Sequence, residues 1–298
     1  MRILSKIIGH SLLSALILPL AACGDDVSRD LQAVVQSEQR FAQTALERGI
    51  PASFQQFLAD DSVIFVPAPT NGKLFYSKLP ENGRKLIWHP IFATISRAGD
   101  LGLTTGPWEM KKSAADETPF AFGEFVSIWK KQPDNSWKVA LDFGINHPSA
   151  SVPSSTVDAS PPSQGSRNEA DLRSGLEKAE EEFAKISSVD KGKALFHAAS
   201  QGIRIFREDA LPITGKESAG KLLATDHLRM SCNESGRGIS RSGDLAYRYG
   251  SYSAQADESV ESGHYLRIWQ TDNAGDWKII LDLQKKAPPA RKQESEKN

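Results

Sequence analysis

Residues 96–108 read SRAGDLGLTTGPW, and residues 240–252 read SRSGDLAYRYGSY. Ser, Arg, Gly, Asp, Leu and a later Gly fall at the same places, 144 positions apart. A second pair of segments repeats in the same order: GEFVSIWKKQPDNSWKVALD at 123–142 and GHYLRIWQTDNAGDWKIILD at 263–282. Here the offset is 140, so the loop between the two anchors is shorter in the second copy, where repeat units absorb changes of length. Upstream, Val63-Ile64-Phe65 aligns with Ile203-Arg204-Ile205, and Asn71-Gly72-Lys73 with Thr214-Gly215-Lys216. The preserved order of anchors means duplication.

The organisation follows from this. Residues 149–168 (SASVPSSTVDASPPSQGSRN) are rich in Ser and Pro and read as a linker, and 286–298 as a polar, unstructured tail. That leaves two units, 23–148 and 169–285, within a chain of 298 residues. Each should begin helical and end in strands. Leu31, Val34, Val35, Glu38, Phe41, Ala42 and Ala45 share one helical face in the first unit. Leu172, Leu176, Ala179 and Phe183 do so in the second, with Asn168 placed as N-cap. Short helices are expected around Phe54–Leu58 and Ala194–Ala199, and a further helix over Lys85–Phe92 despite Pro90. The last three segments of each copy read as antiparallel strands, with turns at 133–135 and 272–275.

The amino terminus reads differently. Arg2 and Lys6 precede the apolar run IIGHSLLSALILPL, which is short for a permanent membrane span, and Leu20-Ala21-Ala22-Cys23 follows. This resembles the signal peptide and lipobox of bacterial lipoproteins. The resemblance implies that residues 1–22 are removed, that Cys23 carries the lipid, and that the protein faces the periplasm from a membrane. Gly24 after the cysteine points to the outer membrane. The remaining thiol, Cys232, reads as a small buried apolar residue, and no internal disulfide is expected.

FLADDSVIFVP, NGK, SRAGDLGLTTGPW and VSIWKKQPDNSWKVALD together resemble the NTF2-like superfamily, in its SnoaL-like and DUF4440 branch. The implied fold is α+β: two tandem cones, each a curved antiparallel sheet wrapped around a long helix and shorter helices. Such domains commonly pair through the outer faces of their sheets. EFVSIW and HYLRIW are apolar on both faces, which calls for a second cover, so the two copies are expected to pair within one chain.

Chemistry is harder to find. Ketosteroid-isomerase-like relatives use a pocket carboxylate as base and a hydrogen-bond donor opposite a developing oxyanion. Asp100, Asp142, Asp244 and Asp282 all sit in the repeated anchors, and strict alternation turns Asp142 away from Trp137, Val139 and Leu141. GKESAGKL at 215–222 lacks the final hydroxyl of a phosphate-binding loop. The histidines lack metal-ligand spacing, so no metal and no cofactor are expected. With 36 basic against 37 acidic residues, no nucleic-acid partner is expected either. The aromatic residues suggest instead a small apolar ligand in the first cone, with Trp88, His89, Phe92, Trp108 and Trp129 as pocket candidates. Trp88 and Trp108 correspond to Cys232 and Tyr252 in the second copy, so any such site belongs to the first. The leading expectation is therefore a membrane-anchored binding or interaction module. The alternative is a small-molecule isomerase, dehydratase or cyclase, which a buried carboxylate facing the first cavity would favour.

Overall fold

A computed structural model describes residues 22–151, 156–165, 167–256 and 259–287. The expected signal peptide (1–22) falls outside them except for Ala22, as does most of the tail (286–298). The first unit comprises α1 (Ala22–Arg48), α2 (Ile50–Phe57), β1 (Leu58–Phe65), β2 (Pro69–Asn71), α3 (Gly72–Lys78), β3 (Lys85–Trp88), β4 (Phe92–Ile95), β5 (Leu101–Lys111), β6 (Ala121–Lys131), β7 (Trp137–His147) and β8 (Asp158–Ser160). The second comprises α4 (Glu169–Ser187), α5 (Lys191–Ala198), β9 (Ala199–Arg207), β10 (Ile213–Thr214), α6 (Lys216–Leu223), β11 (Arg229–Ile239), β12 (Leu245–Ala256), β13 (Ser259–Thr271) and β14 (Trp277–Lys286).

The fold is α+β, with one curved sheet per unit. The sheet orders are β2-β1-β7-β6-β5-β4-β8, with β3 also on β5, and β10-β9-β14-β13-β12-β11. β5 to β7 of the first unit and β11 to β14 of the second form antiparallel meanders, but β1 lies parallel to β7 and β9 parallel to β14. Neither pair is joined by a hairpin, so the parallel pairing is open to them. The long helix fills each cone. Leu31, Val34 and Phe41 of α1 pack with Phe125, Trp129, Trp137 and Val139, and Leu172, Leu176 and Phe183 of α4 with Tyr265, Trp269, Trp277 and Ile279. Asn168 caps α4 as its sequence suggests, accepting from Asp171 N–H at 2.9 Å.

Several expectations need correction. Lys85–Phe92 is not a helix. KLIW pairs with β5 as β3, and Pro90, which a helix interior would not accommodate, separates it from β4. The upstream alignment shifts by one residue, because Ile64 and Ile205 are the residues opposite Asp142 and Asp282. Part of 149–168 belongs to the first sheet. Residues 158–160 pair in parallel with β4, and Thr94 Oγ1 donates to Ser160 O at 2.9 Å. Low apolar content did not prevent pairing, since a strand edge recruits backbone groups rather than side chains. GKESAGKL, which lacks the hydroxyl of a phosphate-binding loop, runs from Gly215 into α6. Cys232 is exposed on β11 rather than buried.

The outer faces of the two sheets share a core. Phe65, Leu103, Ile128, Leu141 and Phe143 from the first meet Phe206, Tyr247, Leu266, Ile268 and Leu283 from the second. The opening motif closes the join. Gly99 and Gly243 turn with φ of 62° and 67°, where glycine is unstrained. Asp244 accepts from Arg97 N–H at 3.0 Å, and Asp100 from Arg241 N–H at 3.0 Å. Each copy of the motif thus binds the other, as a two-fold interface requires.

Candidate functional site

The first cone keeps a cavity of about 270 Å³ between α1, α3 and the inner face of its sheet. Phe41, Phe54, Tyr76, Trp88, Trp108 and Phe125 supply the apolar wall, and Asp142 and Lys285 the charged groups. The Phe54 and Tyr76 rings stack at 4.2 Å, and Trp88 meets Phe41 edge-on at 4.9 Å. Trp108 lies directly over Gly123, where a Cβ would fall 2.4 Å from the indole. That close approach explains why this glycine recurs as Gly263, beneath Tyr252.

Asp142 reaches the cavity because β7 carries a bulge at Ala140. Leu141 faces Ile128 but Val139 faces Trp129, so the pairing slips by one residue. Alternation then inverts. Trp137 and Val139 point into the cone, Leu141 and Phe143 into the layer between the sheets, and Asp142 and Gly144 back into the cavity. The expectation that Asp142 faces away is overturned.

A second carboxylate lies behind it. Glu38 on α1 is fully buried. Trp88 Nε1 donates to it at 2.6 Å, Trp129 Nε1 at 3.0 Å and Thr104 Oγ1 at 2.6 Å. Burial pushes the Glu38 carboxyl above its ordinary value while these hydrogen bonds pull it back. Asp142 has fewer donors, with Ser127 Oγ at 3.2 Å. Burial, and then the Glu38 charge, push Asp142 up to about 7. Among the described residues, no ion pair neutralises either acid. Tyr76 completes the set. Burial and the Asp142 charge hold its phenol far above the ordinary value, so it remains a hydrogen-bond donor.

The sequence candidates separate accordingly. Trp88 and Trp108 line the cavity and pair across β3 and β5. Trp129 lies beneath it, holding Glu38. His89 is exposed. Phe92 faces the layer between the sheets, with the Arg204 guanidinium 3.6 Å above its ring. The strand geometry of β3 and β4 sends these two away from the cavity, where a helix would have grouped them with Trp88. The backbone at Cys23 belongs to α1, and its side chain lies outside the described set. Glu38 and Tyr76 were not singled out from sequence. A glutamate in the middle of the apolar stripe of α1 was the available signal for the first.

The second cone answers the same positions differently. Thr104 and Ser127 pair across β5 and β6, and Arg248 and Arg267 take the same places across β12 and β13. Asp282, the counterpart of Asp142, pairs with Arg267 at 3.0 Å and Arg207 at 2.7 Å. Glu180, the counterpart of Glu38, lies against Arg248.

No family model matches the sequence, and no curated protein matches it. Among solved structures, a ketosteroid isomerase-like protein from Erwinia carotovora atroseptica is 13% identical, over 39% of this chain and 97% of its own, with a TM-score of 0.34. An NTF2-like protein from Shewanella oneidensis is 10% identical, over 38% of this chain and 97% of its own, with a TM-score of 0.32. An LEH-like epoxide hydrolase from Mycobacterium tuberculosis is 11% identical, over 39% of this chain and 84% of its own, with a TM-score of 0.31. Each match spans about the length of one unit, and the chain is a tandem of two α+β units, each a curved sheet around a long helix.

Proposed function

We propose that the first cone is a catalytic cavity that moves a proton on a small, flat, largely apolar molecule, with Asp142 as the base. One observation carries this reading: Asp142 lines an aromatic cavity with the buried Glu38 carboxyl behind it, neither acid has an ion-pair partner among the described residues, and burial pushes Asp142 up to about 7. Burying acids unpaired is unfavourable for folding, and such arrangements cluster at functional sites. A base poised near neutral pH takes a proton from carbon and returns it. The Tyr76 hydroxyl supplies a donor for charge developing on a neighbouring oxygen. Glu38, clamped by two indoles and a hydroxyl, adds to the burial that keeps Asp142 from ionising at its ordinary value. It is a positioning residue.

The test uses a flat ketone, 2-tetralone, and follows exchange of its α-hydrogens in deuterated water by NMR. The wild type should accelerate exchange, with a rate that rises as Asp142 ionises through about pH 7 and then levels. Asp142→Asn should lower the rate by about 10²–10⁴-fold. Exchange that is indifferent to Asp142→Asn would overturn the reading. A second reading, ligand binding without chemistry, is favoured by the size of the cavity, which is close to the lower end of the usual range of about 300–1,000 Å³ and is already crowded by Phe41 and Trp88. Tetralone binding with no exchange in the wild type would decide for it.

The same proposal places the chain in the bacterial envelope, facing the periplasm from a lipid on Cys23, with the outer membrane as its site. What supports it is the Leu-Ala-Ala-Cys motif behind a short apolar run. A single acyl chain holds a protein only marginally, so the anchor requires more than one. Cys23→Ser is expected to abolish acylation, seen as a loss of lipid mass by mass spectrometry. An unacylated Cys23 in the wild type would refute it.

A further inference from the structure

The second cone retains a cavity of about 260 Å³ between α4 and strands β11, β12 and β13. Phe183, Tyr265 and Trp269 form its apolar wall, and Arg248, Arg267, Glu180, Glu234 and Cys232 are among its polar lining. Its donors are not all used. Arg267 is 5% exposed and Trp269 1%, yet Arg267 Nη2 and Trp269 Nε1 have no hydrogen-bond partner, nor has Arg248 Nε. Buried donors are almost always satisfied, so each of these calls for an acceptor.

The other copy shows how the vacancies arose. Trp129 Nε1 donates to Glu38 at 3.0 Å. In the second cone, Arg248 stands where Thr104 does and draws Glu180 to itself, leaving the Trp269 indole N–H without its acceptor. Arg267 replaces Ser127. Its Nε is bound to Asp282 at 3.0 Å, and its guanidinium lies 3.8 Å over the Phe183 ring. Asp282 turns its other oxygen to Arg207 at 2.7 Å, which leaves Arg267 Nη2 free. A fixed guanidinium and an indole N–H beside aromatic rings on one cavity suit an anion with a flat body, because an ionised acceptor makes the stronger hydrogen bonds.

We propose that the second cone binds a small carboxylate with a flat apolar body, its head held by Arg267 and Trp269. Charge around the cavity agrees. Glu180 is pushed up to about 7 by burial, against the opposing charge of Arg248, with Glu177 and Glu234 adding to the push and Arg237 opposing it. When Glu180 takes a proton, Arg248 is released from one of its acids, so carboxylate binding should tighten as the pH falls below about 7. The site is independent of the chemistry assigned to the first cone, and its readout does not involve Asp142.

Cys232 provides that readout, being exposed at the cavity. In the full chain carrying Cys23→Ser it is the single thiol. Iodoacetamide alkylates it when the thiolate sulfur displaces iodide and a sulfur–carbon bond forms. Saturating benzoate should slow this at least fivefold relative to ligand-free protein at the same pH, more at pH 6 than at pH 8, whereas benzamide should not. Trp269→Phe keeps the ring, removes the N–H, and should weaken benzoate protection about fivefold to tenfold. Arg267→Met should abolish it. That variant leaves Asp282 with one cation and is the one at risk of not folding, so Trp269→Phe keeps the test decisive. Equal protection by benzamide, or protection unchanged in Trp269→Phe, would overturn the proposal. So would benzoate binding that leaves Cys232 reactivity unaltered, since the ligand would then sit elsewhere.

Discussion

Asp142 and Asp282 stand at corresponding places, each bulged back into its own cone, and differ in what faces them across the ladder. Ser127 faces the first and Arg267 the second. For Asp142, burial and the Glu38 charge raise the folded value to about 7, from an ordinary value of 3.8. The native state then binds more protons than the unfolded chain between those limits, so stability falls as pH rises through them. The resulting penalty above pH 7 is at most about 4 kcal/mol. For Asp282, burial works in the same direction, but the Arg207 and Arg267 charges outweigh it and hold the carboxyl low. Its contribution is present at neutral pH and is lost as pH falls through the folded value. Asp142→Asn is therefore expected to stabilise the protein at pH 8 and to change it little at pH 4. Asp282→Asn should destabilise it at pH 8 by about 3–5 kcal/mol, because the buried Arg267 and the half-buried Arg207 lose their anion. Urea unfolding of both variants at the two pH values checks the signs. Destabilisation by Asp142→Asn at pH 8 would show that its charge is compensated after all.

At the scale of elements, the bulges explain why half of the site was legible in the sequence and half was not. WKVALD and WKIILD were correctly read as paired strands, and EFVSIW as apolar on both faces, because alternation and turn residues are local signals. The inner or outer direction of Asp142 is not local. It depends on the slip at Ala140, which puts an extra residue opposite β6, and the slip recurs between Ile268 and Trp269 in the second unit. Nothing in KVALD marks that slip, since Ala and Val are unremarkable in a strand. Lys85–Phe92 failed for the opposite reason. Its spacing suits a helix, but the unpaired edge of β5 takes KLIW as a strand, and tertiary pairing overrides local preference. Glu38 was visible as a charge on an apolar stripe. Its meaning required Trp88, 50 residues away, and Trp129, 91 away, to be brought onto it.

At the scale of the molecule, the duplication makes one body rather than two beads. The sheet faces share a single apolar layer, and the paired SRxGD turns exchange hydrogen bonds at its edge. The tether participates too: Thr94 Oγ1 holds Ser160 O, and Ser163 Oγ lies 2.7 Å from Thr271 Oγ1 of the second unit. The second unit also reaches the first cavity. Lys285 on β14 donates to Gly144 O at 3.0 Å and lines that cavity, while Glu208 holds Asn146 at 2.7 Å. Cone one is therefore complete only when its partner is docked. Covalent linkage sets an effective concentration of order millimolar for docking, which favours the internal pair over pairing between chains. Residues 24–298 should accordingly run as a single protomer by size-exclusion chromatography with light scattering. Residues 24–150 alone, with Leu103, Ile128, Leu141 and Phe143 uncovered, should dimerise or aggregate. The Lys285→Met variant of the longer chain should stay monomeric and weaken tetralone binding in cone one without altering benzoate protection of Cys232. A stable monomer of 24–150 that binds tetralone as well as the whole chain does would show that the second copy contributes nothing to the first.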